Sequence, residues 1–273
     1  MIEAMGIAAC DDFSLTAVTC RSDHRHWSEP EACDDHGMVL VRRGRFRRRG
    51  SDGTDTDVDP TLAYLTVPGT EERFAHPAGG DVCTWIRFSP RLWLSMADGE
   101  PHRATGSAVY VDARIDLAHR RALGAASDVG YALAEELVML LRAAVEQVAA
   151  APSPPSSPAG DRTLLAGARE AIGEDHPASV TLLSLADLLG VSPYRLSRAF
   201  TRGTGVPLTR YRNRVRVGRA LDRLEDGEES LAVLAADLGF ADQAHLCRTV
   251  REHLGHTPTA LRALLARDRG VSA

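Results

Sequence analysis

Hydrophobic and polar positions follow different periods in the two halves of the chain. The first half contains short runs of β-branched and aromatic residues separated by Gly, Pro and Asp clusters: Phe13–Cys20, Met38–Val41, Leu62–Val67 and Val82–Phe88. This spacing is typical of strands in a sandwich or small barrel. From Asp128 to Ala149, apolar residues recur at three- and four-residue steps instead, which predicts one amphipathic helix.

A proline-rich segment separates the two halves. Residues 151–160 contain four prolines, and proline at this density blocks both a helix and a central strand. We therefore predict a first domain at 1–150, β-rich to about residue 115 and helical after it. A linker follows at 151–160, and a second domain with purely helical periodicity occupies 161–273.

One helical block occurs twice in the second domain. Residues 185–191 match residues 234–240 at an offset of 49, whereas residues 196–198 match residues 246–248 at an offset of 50. Each copy predicts a helix, a tight turn and a second helix, and the second turn is longer by one residue. This is the layout of a helix-turn-helix.

The residues at the predicted turns suit that layout. Gly190 and Gly239 lie where the first helix of each copy must reverse, and glycine tolerates the left-handed conformation needed there. Ser192 and Asp242 are suitable N-caps for the helices that follow. Between the copies, Pro207–Asp226 predicts one helix of roughly 30 Å, close to the ~34 Å turn of B-DNA.

Charge is distributed unevenly along the chain. The net charge of -5 is unfavourable for binding nucleic acid, but the charge is not shared equally: residues 1–160 carry 16 arginines against 23 acids, and residues 161–273 carry 16 arginines against 14 acids. The segment 192–223 alone holds nine arginines and one acid, and there is no lysine in the sequence. Phosphate binding depends on the local field, so this segment is compatible with a DNA-binding face; a solvated helix face is the alternative.

The second domain resembles a known family. Ser184–Arg262 is similar to the double helix-turn-helix domain of AraC/XylS-type bacterial transcription regulators. The motifs that carry the resemblance are Leu185-Ala-x-x-x-Gly190-Val-Ser192, Leu196-x-Arg198-x-Phe200, Gly205-Val-Pro207, Arg214-Val-x-Val-x-Arg219-Ala-Leu221, Ala235-x-x-x-Gly239-Phe240 and Gly255-His-Thr-Pro258-x-x-Leu261-Arg262. One departure is Val250, where the family usually has an aromatic residue.

The resemblance implies an α+β protein: an N-terminal cupin-like β-barrel or sandwich with helices, then an all-α domain with two helix-turn-helix units. It implies a cytoplasmic, sequence-specific transcription regulator that binds double-stranded promoter or operator DNA, with activation as the expected mode and repression as the alternative. By position in the motif, the residues facing DNA would be Tyr194, Ser197, Arg198, Arg202, Gln243, Ala244, His245, Cys247 and Arg248. Arginine can pair bidentately with guanine and glutamine with adenine, although phosphate contact or solvation remains an alternative for each of them.

The resemblance also implies a first domain that regulates the second and dimerises. The helix at 128–149 is then the candidate homodimer element; the alternative is that it packs only on its own domain. RNA polymerase is an implied partner. A small-molecule effector is compatible with such a domain, and no resident cofactor is expected.

Cysteine and histidine residues of the first domain suggest other chemistry. Cys20, His24, His76 and Cys83 are candidate ligands of zinc or copper(I), because thiolate and imidazole suit both ions. Thiol sensing, or ordinary core and surface positions, are the alternatives, since none of the spacings is a strong metal signature. The five cysteines form no CxxC pair and suggest reduced thiols.

A metalloenzyme and a co-regulator that binds only protein are the alternatives to a DNA-binding protein. Cupin-like barrels can host metalloenzymes, but the sequence has no GxSxG, GxGxxG, Walker or HExxH motif, so we expect no enzyme activity. A co-regulator that binds protein only is disfavoured by Arg198 and Arg248, which occupy equivalent positions in the two copies. The longest uncharged run contains four prolines and the N-terminus lacks a basic segment, so no membrane span or export signal is expected.

Overall fold

The computed structural model describes residues 1–96, 108–150 and 159–269. The described residues divide into two compact units, the first within Met1–Ala151 and the second within Pro152–Arg267. Most of the predicted linker, 151–158, lies outside the described residues. Its last two predicted residues already belong to a helix that begins at Ala159.

Short strands dominate the first unit, as the β-type runs predict. In chain order they are β1 Ile2–Ala9, β2 Phe13–Cys20, β3 Glu31–Cys33, β4 His36–Arg43, β5 Phe46–Arg49, β6 Asp55–Val58, β7 Leu62–Thr66, β8 Thr70–Ala75, β9 Asp81–Phe88 and β10 Ala108–Tyr110. Three helices accompany them: α1 Pro90–Met96, α2 Ala113–Gly124 and α3 Ala132–Ala150. The four predicted strands correspond to β2, β4, β7 and β9 to within two residues at each end.

The strands form two antiparallel sheets. One has the order β1-β2-β9-β4-β7-β10 and the other has the order β3-β8-β5-β6. Closing a barrel requires the edge strands to pair with each other, whereas β1 and β10 lie at opposite edges of the larger sheet. Within the described ranges the sheets are therefore open, so the sandwich prediction is confirmed and the barrel alternative is wrong.

The central strands of the larger sheet bury side chains on both faces, since successive side chains point to opposite sides. Leu15, Met38 and Ile86 belong to a core that includes apolar residues of α1, α2 and α3. Val41 and Cys83 point to the other face and pack with Phe46 and Val58 of the smaller sheet. The first unit is thus a helix layer, a six-stranded sheet and a four-stranded sheet.

Helix α3 starts later than the predicted residue 128, because Asp128 lies before its first turn. The Asp128 carboxylate accepts hydrogen bonds from the backbone N–H groups of Tyr131 and Ala132, at 3.2 and 3.3 Å. Most of the predicted apolar stripe, including Leu133, Leu137 and Leu140, is buried in the core of its own unit, whereas Tyr131 at its start is exposed. The buried part of the stripe is therefore not available for a dimer contact.

The second unit is helical throughout its described residues. Its helices are α4 Ala159–Gly173, α5 Leu182–Leu188, α6 Pro193–Thr204, α7 Leu208–Glu225, α8 Leu231–Asp237, α9 Gln243–Leu254 and α10 Pro258–Arg269, with a short 3₁₀ helix at Pro177–Val180. The helix predicted at 207–226 corresponds to α7, flanked by Pro207 and Asp226 as its caps. Among the helices of the described residues, none is both long enough and apolar enough to cross a membrane.

Candidate nucleic-acid interface

The two predicted helix-turn-helix units are α5–α6 and α8–α9, and their turns are built alike. Gly190 and Gly239 have φ angles of 66° and 69°, the left-handed conformation that glycine adopts without a Cβ clash. Ser192 Oγ accepts a hydrogen bond from the Arg195 N–H at 3.2 Å. Asp242 fills the same N-cap position in the second unit. The prediction of two units with different turn lengths is confirmed.

Each second helix buries one face and exposes the other. On α6, Leu196 and Phe200 are fully buried. On α9, Leu246 and Val250 take the equivalent positions and are also buried, so the departure at Val250 keeps an apolar core contact. The predicted DNA-facing residues lie away from these contacts: Tyr194, Arg198, Arg202, Gln243, Ala244 and Arg248 are exposed, and Ser197, His245 and Cys247 are half-buried.

A tyrosine and an arginine interact on the exposed face of α6. Arg198 donates a hydrogen bond from Nη1 to the Tyr194 hydroxyl at 2.8 Å, and its guanidinium carbon lies 5.5 Å from the ring centroid. The hydrogen bond to Tyr194 raises the pKa of Arg198 above its usual value. Tyr194, itself 70% exposed, also restricts the rotamers of Arg198.

Arg202 has a partner inside the protein. Its Nη1 atom lies 3.0 Å from Asp161 Oδ2 on α4, and the Asp161 side chain is mostly buried. This ion pair links α6 to α4. It gives Arg202 a structural role beside the DNA contact that the motif predicts.

The exposed face of α9 carries different chemistry from that of α6. Ala244 occupies the position equivalent to Tyr194, so Arg248 has no aromatic neighbour one turn earlier. For Arg248, the described part of the chain offers no side-chain hydrogen bond or ion pair. Gln243 is exposed at the start of α9 and can present its amide to a base edge.

His245 is held at the turn before α9. The Ala241 N–H donates a hydrogen bond to His245 Nδ1 at 3.3 Å, and the imidazole packs edge-on against Phe240 with 5.3 Å between ring centroids. A neutral imidazole that accepts at Nδ1 carries its proton on Nε2. Nε2–H is then the group that His245 can offer to DNA.

Several arginines of α7 point into the protein. Arg214 is buried. Arg219 donates to the carbonyl oxygens of Ile172 and Gly173, and its Nη1 lies 2.8 Å from Asp175 Oδ1. These interactions hold α7 against the end of α4. The high arginine content of residues 192–223 is therefore partly structural.

Arg216 stacks on the second unit. Its guanidinium carbon lies 5.3 Å from the ring centroid of Phe240, which links α7 to the turn of α8–α9. Burial, together with the positive charge of Arg212, lowers the pKa of Arg216 to about 10. Arg195 and Arg210, by contrast, are exposed on α6 and α7 and are free to meet phosphates.

Two of the four candidate metal ligands of the first unit, Cys20 and His76, lie close together. They form a buried cluster with Asp81, which was not among the predicted ligands. Cys83 donates a hydrogen bond from Sγ to Asp81 Oδ2 at 2.8 Å, and burial followed by the Asp81 charge raises its pKa. His24 lies beside His76, with 5.0 Å between ring centroids, outside that cluster.

Two helix-turn-helix units joined by a long helix define a double helix-turn-helix domain. Residues 185–264 match a family described as a helix-turn-helix domain. The curated relatives with similar sequences include the transcriptional activator RhaS of Escherichia fergusonii, 33% identical over 90 residues, which are 33% of this chain and 32% of RhaS. Another is the bifunctional transcriptional activator/DNA repair enzyme AdaA of Bacillus subtilis, 30% identical over 95 residues, or 35% of this chain and 45% of AdaA.

The matched segment spans a third to just under half of the length of these relatives. One solved structure that is similar to the C-terminal segment is a transcriptional regulator from Chromobacterium violaceum, described as an AraC-type DNA-binding domain-containing protein. It is 27% identical, with a TM-score of 0.36, and the match covers 40% of this chain and 97% of that one. Residues 185–264 are therefore similar to the helix-turn-helix domains of transcriptional activators.

Proposed function

We propose that the protein is a sequence-specific DNA-binding transcription regulator in which α6 and α9 enter successive major grooves. The observation that carries this proposal is the repeated two-faced helix. In both units the leucine and the second apolar residue are buried, and an arginine of equivalent position, Arg198 or Arg248, is exposed. A helix with a fixed apolar side and an arginine-bearing outer side fits major-groove reading.

The length of α7 is compatible with this arrangement. Its 18 residues rise by about 1.5 Å each, which gives roughly 27 Å. The centres of two helices that enter neighbouring major grooves are separated by about 34 Å along the duplex. The two lengths are of the same order, which supports the proposal that α7 separates the two reading helices by about one turn of DNA.

The proposed mode of action, oligomeric state and location in the cell rest on the resemblance to the family and on the curated relatives. RhaS and AdaA are both named as transcriptional activators. We therefore include activation through RNA polymerase, binding to promoter DNA as a homodimer, and action in the cytoplasm. The proposed role of the first unit is to regulate the second in response to an effector, without enzyme activity. Since most of the predicted stripe of α3 is buried, a dimer contact would use the outer face of this helix, where Val138 and Met139 are exposed.

A binding-site selection with the full chain and random duplex DNA tests the proposal. We expect two short conserved blocks whose centres lie about 10 bp apart, because each block would be read by one helix. Inserting about 5 bp or about 10 bp between the blocks should weaken binding strongly, because the single helix α7 fixes the distance between the two reading helices and cannot span a further helical turn of DNA. Equal enrichment of all sequences would contradict the proposal.

A further inference from the structure

Three side chains of different chemistry converge in the first unit. Cys20 Sγ, one imidazole nitrogen of His76 and one carboxylate oxygen of Asp81 all lie within 4.8 Å of one another. All three residues are buried, with 4 to 6% of their surface exposed. Burying a thiol, an imidazole and a carboxylate together costs free energy unless these groups bind partners.

The backbone builds this cluster from separate elements. Cys20 at the end of β2 is paired directly with Asp81 at the start of β9, so their side chains lie on the same face of the larger sheet. His76 comes directly after β8 of the smaller sheet. The backbone at Gly80 lies very close to that of Cys20, since a Cβ on Gly80 would lie 2.2 Å from the Cys20 carbonyl oxygen.

The polar atoms of the cluster are incompletely satisfied. His76 Nδ1 and Asp81 Oδ1 are buried and have no hydrogen-bond partner among the described residues. Asp81 Oδ1 nevertheless lies 3.0 Å from His76 Nε2. Two ligand atoms that each bind one tetrahedral zinc ion at about 2.0 Å would lie roughly 3.3 Å apart. Their observed separation is close to that value.

We propose that Cys20, His76 and Asp81 form a zinc site that joins the two sheets of the first unit. One sulfur, one nitrogen and one oxygen ligand suit Zn²⁺, which accepts all three types. Copper(I) prefers sulfur-rich sets, so the carboxylate favours zinc. The fourth position stays open to water.

Cys83 and His24 have supporting places in this site. Cys83 Sγ donates to Asp81 Oδ2 at 2.8 Å and thereby orients the other carboxylate oxygen towards His76. His24 accepts a hydrogen bond at its carbonyl from the His76 N–H at 2.9 Å, which fixes the backbone of that ligand. Cys83 is thus a positioning residue, and such partners around metal sites tune affinity by about 10–100-fold.

The proposal goes beyond DNA binding and is tested on the full chain, purified without a histidine tag. The protein is equilibrated with zinc chloride, passed through a desalting column and measured for bound zinc by mass spectrometry. We expect about one zinc ion per chain, and at least a roughly tenfold loss of bound zinc for Cys20→Ser, His76→Gln or Asp81→Asn. Less than about a tenth of an equivalent in the unsubstituted protein would overturn the proposal.

Matched controls come from the same unit. Cys33→Ser and His26→Gln change the same residue types outside the cluster, and both variants should retain zinc at the level of the unsubstituted protein. If they lose it as fully as the ligand variants do, the assignment of ligands is wrong. Far-ultraviolet circular dichroism checks that each variant is folded.

A spectroscopic measurement on the unsubstituted protein covers the case in which a ligand variant does not fold. Cobalt(II) replaces zinc with the same ligands and absorbs in the near ultraviolet when a thiolate is bound to it. We expect that band, together with the intense visible bands of a tetrahedral site, and we expect zinc to abolish both. Bound cobalt without the thiolate band would overturn the role of Cys20. DNA binding is measured in parallel, because its loss without loss of metal would affect only the proposed function.

Discussion

The two helix-turn-helix units have nearly the same backbone but different outer surfaces. Both units turn through a left-handed glycine, Gly190 or Gly239, and begin the second helix with a side-chain cap. Outside, the first unit presents Arg198 already bonded to an aromatic residue. The second unit presents Arg248 four residues after Ala244, which takes the place of Tyr194. The shared parts specify how a helix is held, and the differing parts can specify what each helix reads.

The two units also differ in the size of an equivalent buried side chain. Phe200 of the first unit packs edge-on against Tyr211 with 5.0 Å between ring centroids. The equivalent Val250 buries a smaller side chain. The first unit is thus held by an aromatic pair, and the second has a smaller contact at this point.

The largest expected difference between the units is in stability. Phe200→Ala removes a fully buried ring and should lower the free energy of unfolding by about 3–5 kcal/mol. Val250→Ala removes two buried methyl groups and should cost about 2 kcal/mol. Urea unfolding of the full chain, followed by circular dichroism of its helices, measures both. Equal losses would show that the aromatic pair adds nothing to the first unit.

The second prediction concerns the base pairs that Arg198 and Arg248 recognise. Arg198→Ala should remove discrimination at one or two base pairs of one half of the binding site, and Arg248→Ala should do the same in the other half. Each loss is expected to be about 1–3 kcal/mol, or roughly 5- to 150-fold. Binding-site selection with each variant shows which positions lose preference. Unchanged preferences for Arg198→Ala would contradict base reading by that residue.

A control for these variants comes from an arginine with a structural role. Arg219 is bonded to the end of α4 through Ile172, Gly173 and Asp175. Arg219→Ala should weaken binding to all sequences alike through altered packing. A change of preference at one base pair only would place Arg219 on the DNA.

Local patterns along the chain were sufficient for much of the fold. The repeated block and its capping residues predicted both helix-turn-helix units, because glycine turns and N-caps act within a few residues. The strand runs located β2 and β9 for the same reason. The choice between an open sandwich and a closed barrel was left undecided by the sequence, since the edge positions of β1 and β10 depend on pairings between distant segments.

The sites were predicted less completely than the helices that carry them. Arg216 and Arg219 look like free positive charge in the sequence, but tertiary contacts with Phe240 and Asp175 turn them inward. Asp81 was missed because its position opposite Cys20 follows from the register of β2 and β9. Its alternation with Cys83 on one strand face was the signal that could have suggested it.

The N-caps offer a smaller test of the likeness between the units. Ser192→Ala and Asp242→Ala each remove the side-chain acceptor at the start of a second helix, and each should cost about 1 kcal/mol of unfolding free energy. Urea unfolding of both variants compares them directly. Ser192→Thr keeps a hydroxyl acceptor and should recover most of the loss. A cost in only one unit would show that the turns are not equivalent.

The smallest expected effect concerns the contact between Tyr194 and Arg198. Tyr194→Phe keeps the ring and removes the hydroxyl, so Arg198 loses an anchor but keeps its charge. We expect discrimination at the base pair read by Arg198 to fall by less than about 1 kcal/mol, a value typical of one exposed hydrogen bond. Fluorescence anisotropy with the selected site and its single-base variants measures this loss.

A double-mutant cycle decides how Tyr194 acts. If it works only by orienting Arg198, Tyr194→Phe should cause no further loss when Arg198 is already alanine. Additive losses would instead mean that the tyrosine hydroxyl contacts DNA itself. Ala244→Tyr, the matched change in α9, then asks whether an aromatic residue one turn before Arg248 sharpens discrimination in the second half of the site. If it does, the difference between the two reading helices lies in how firmly each arginine is held.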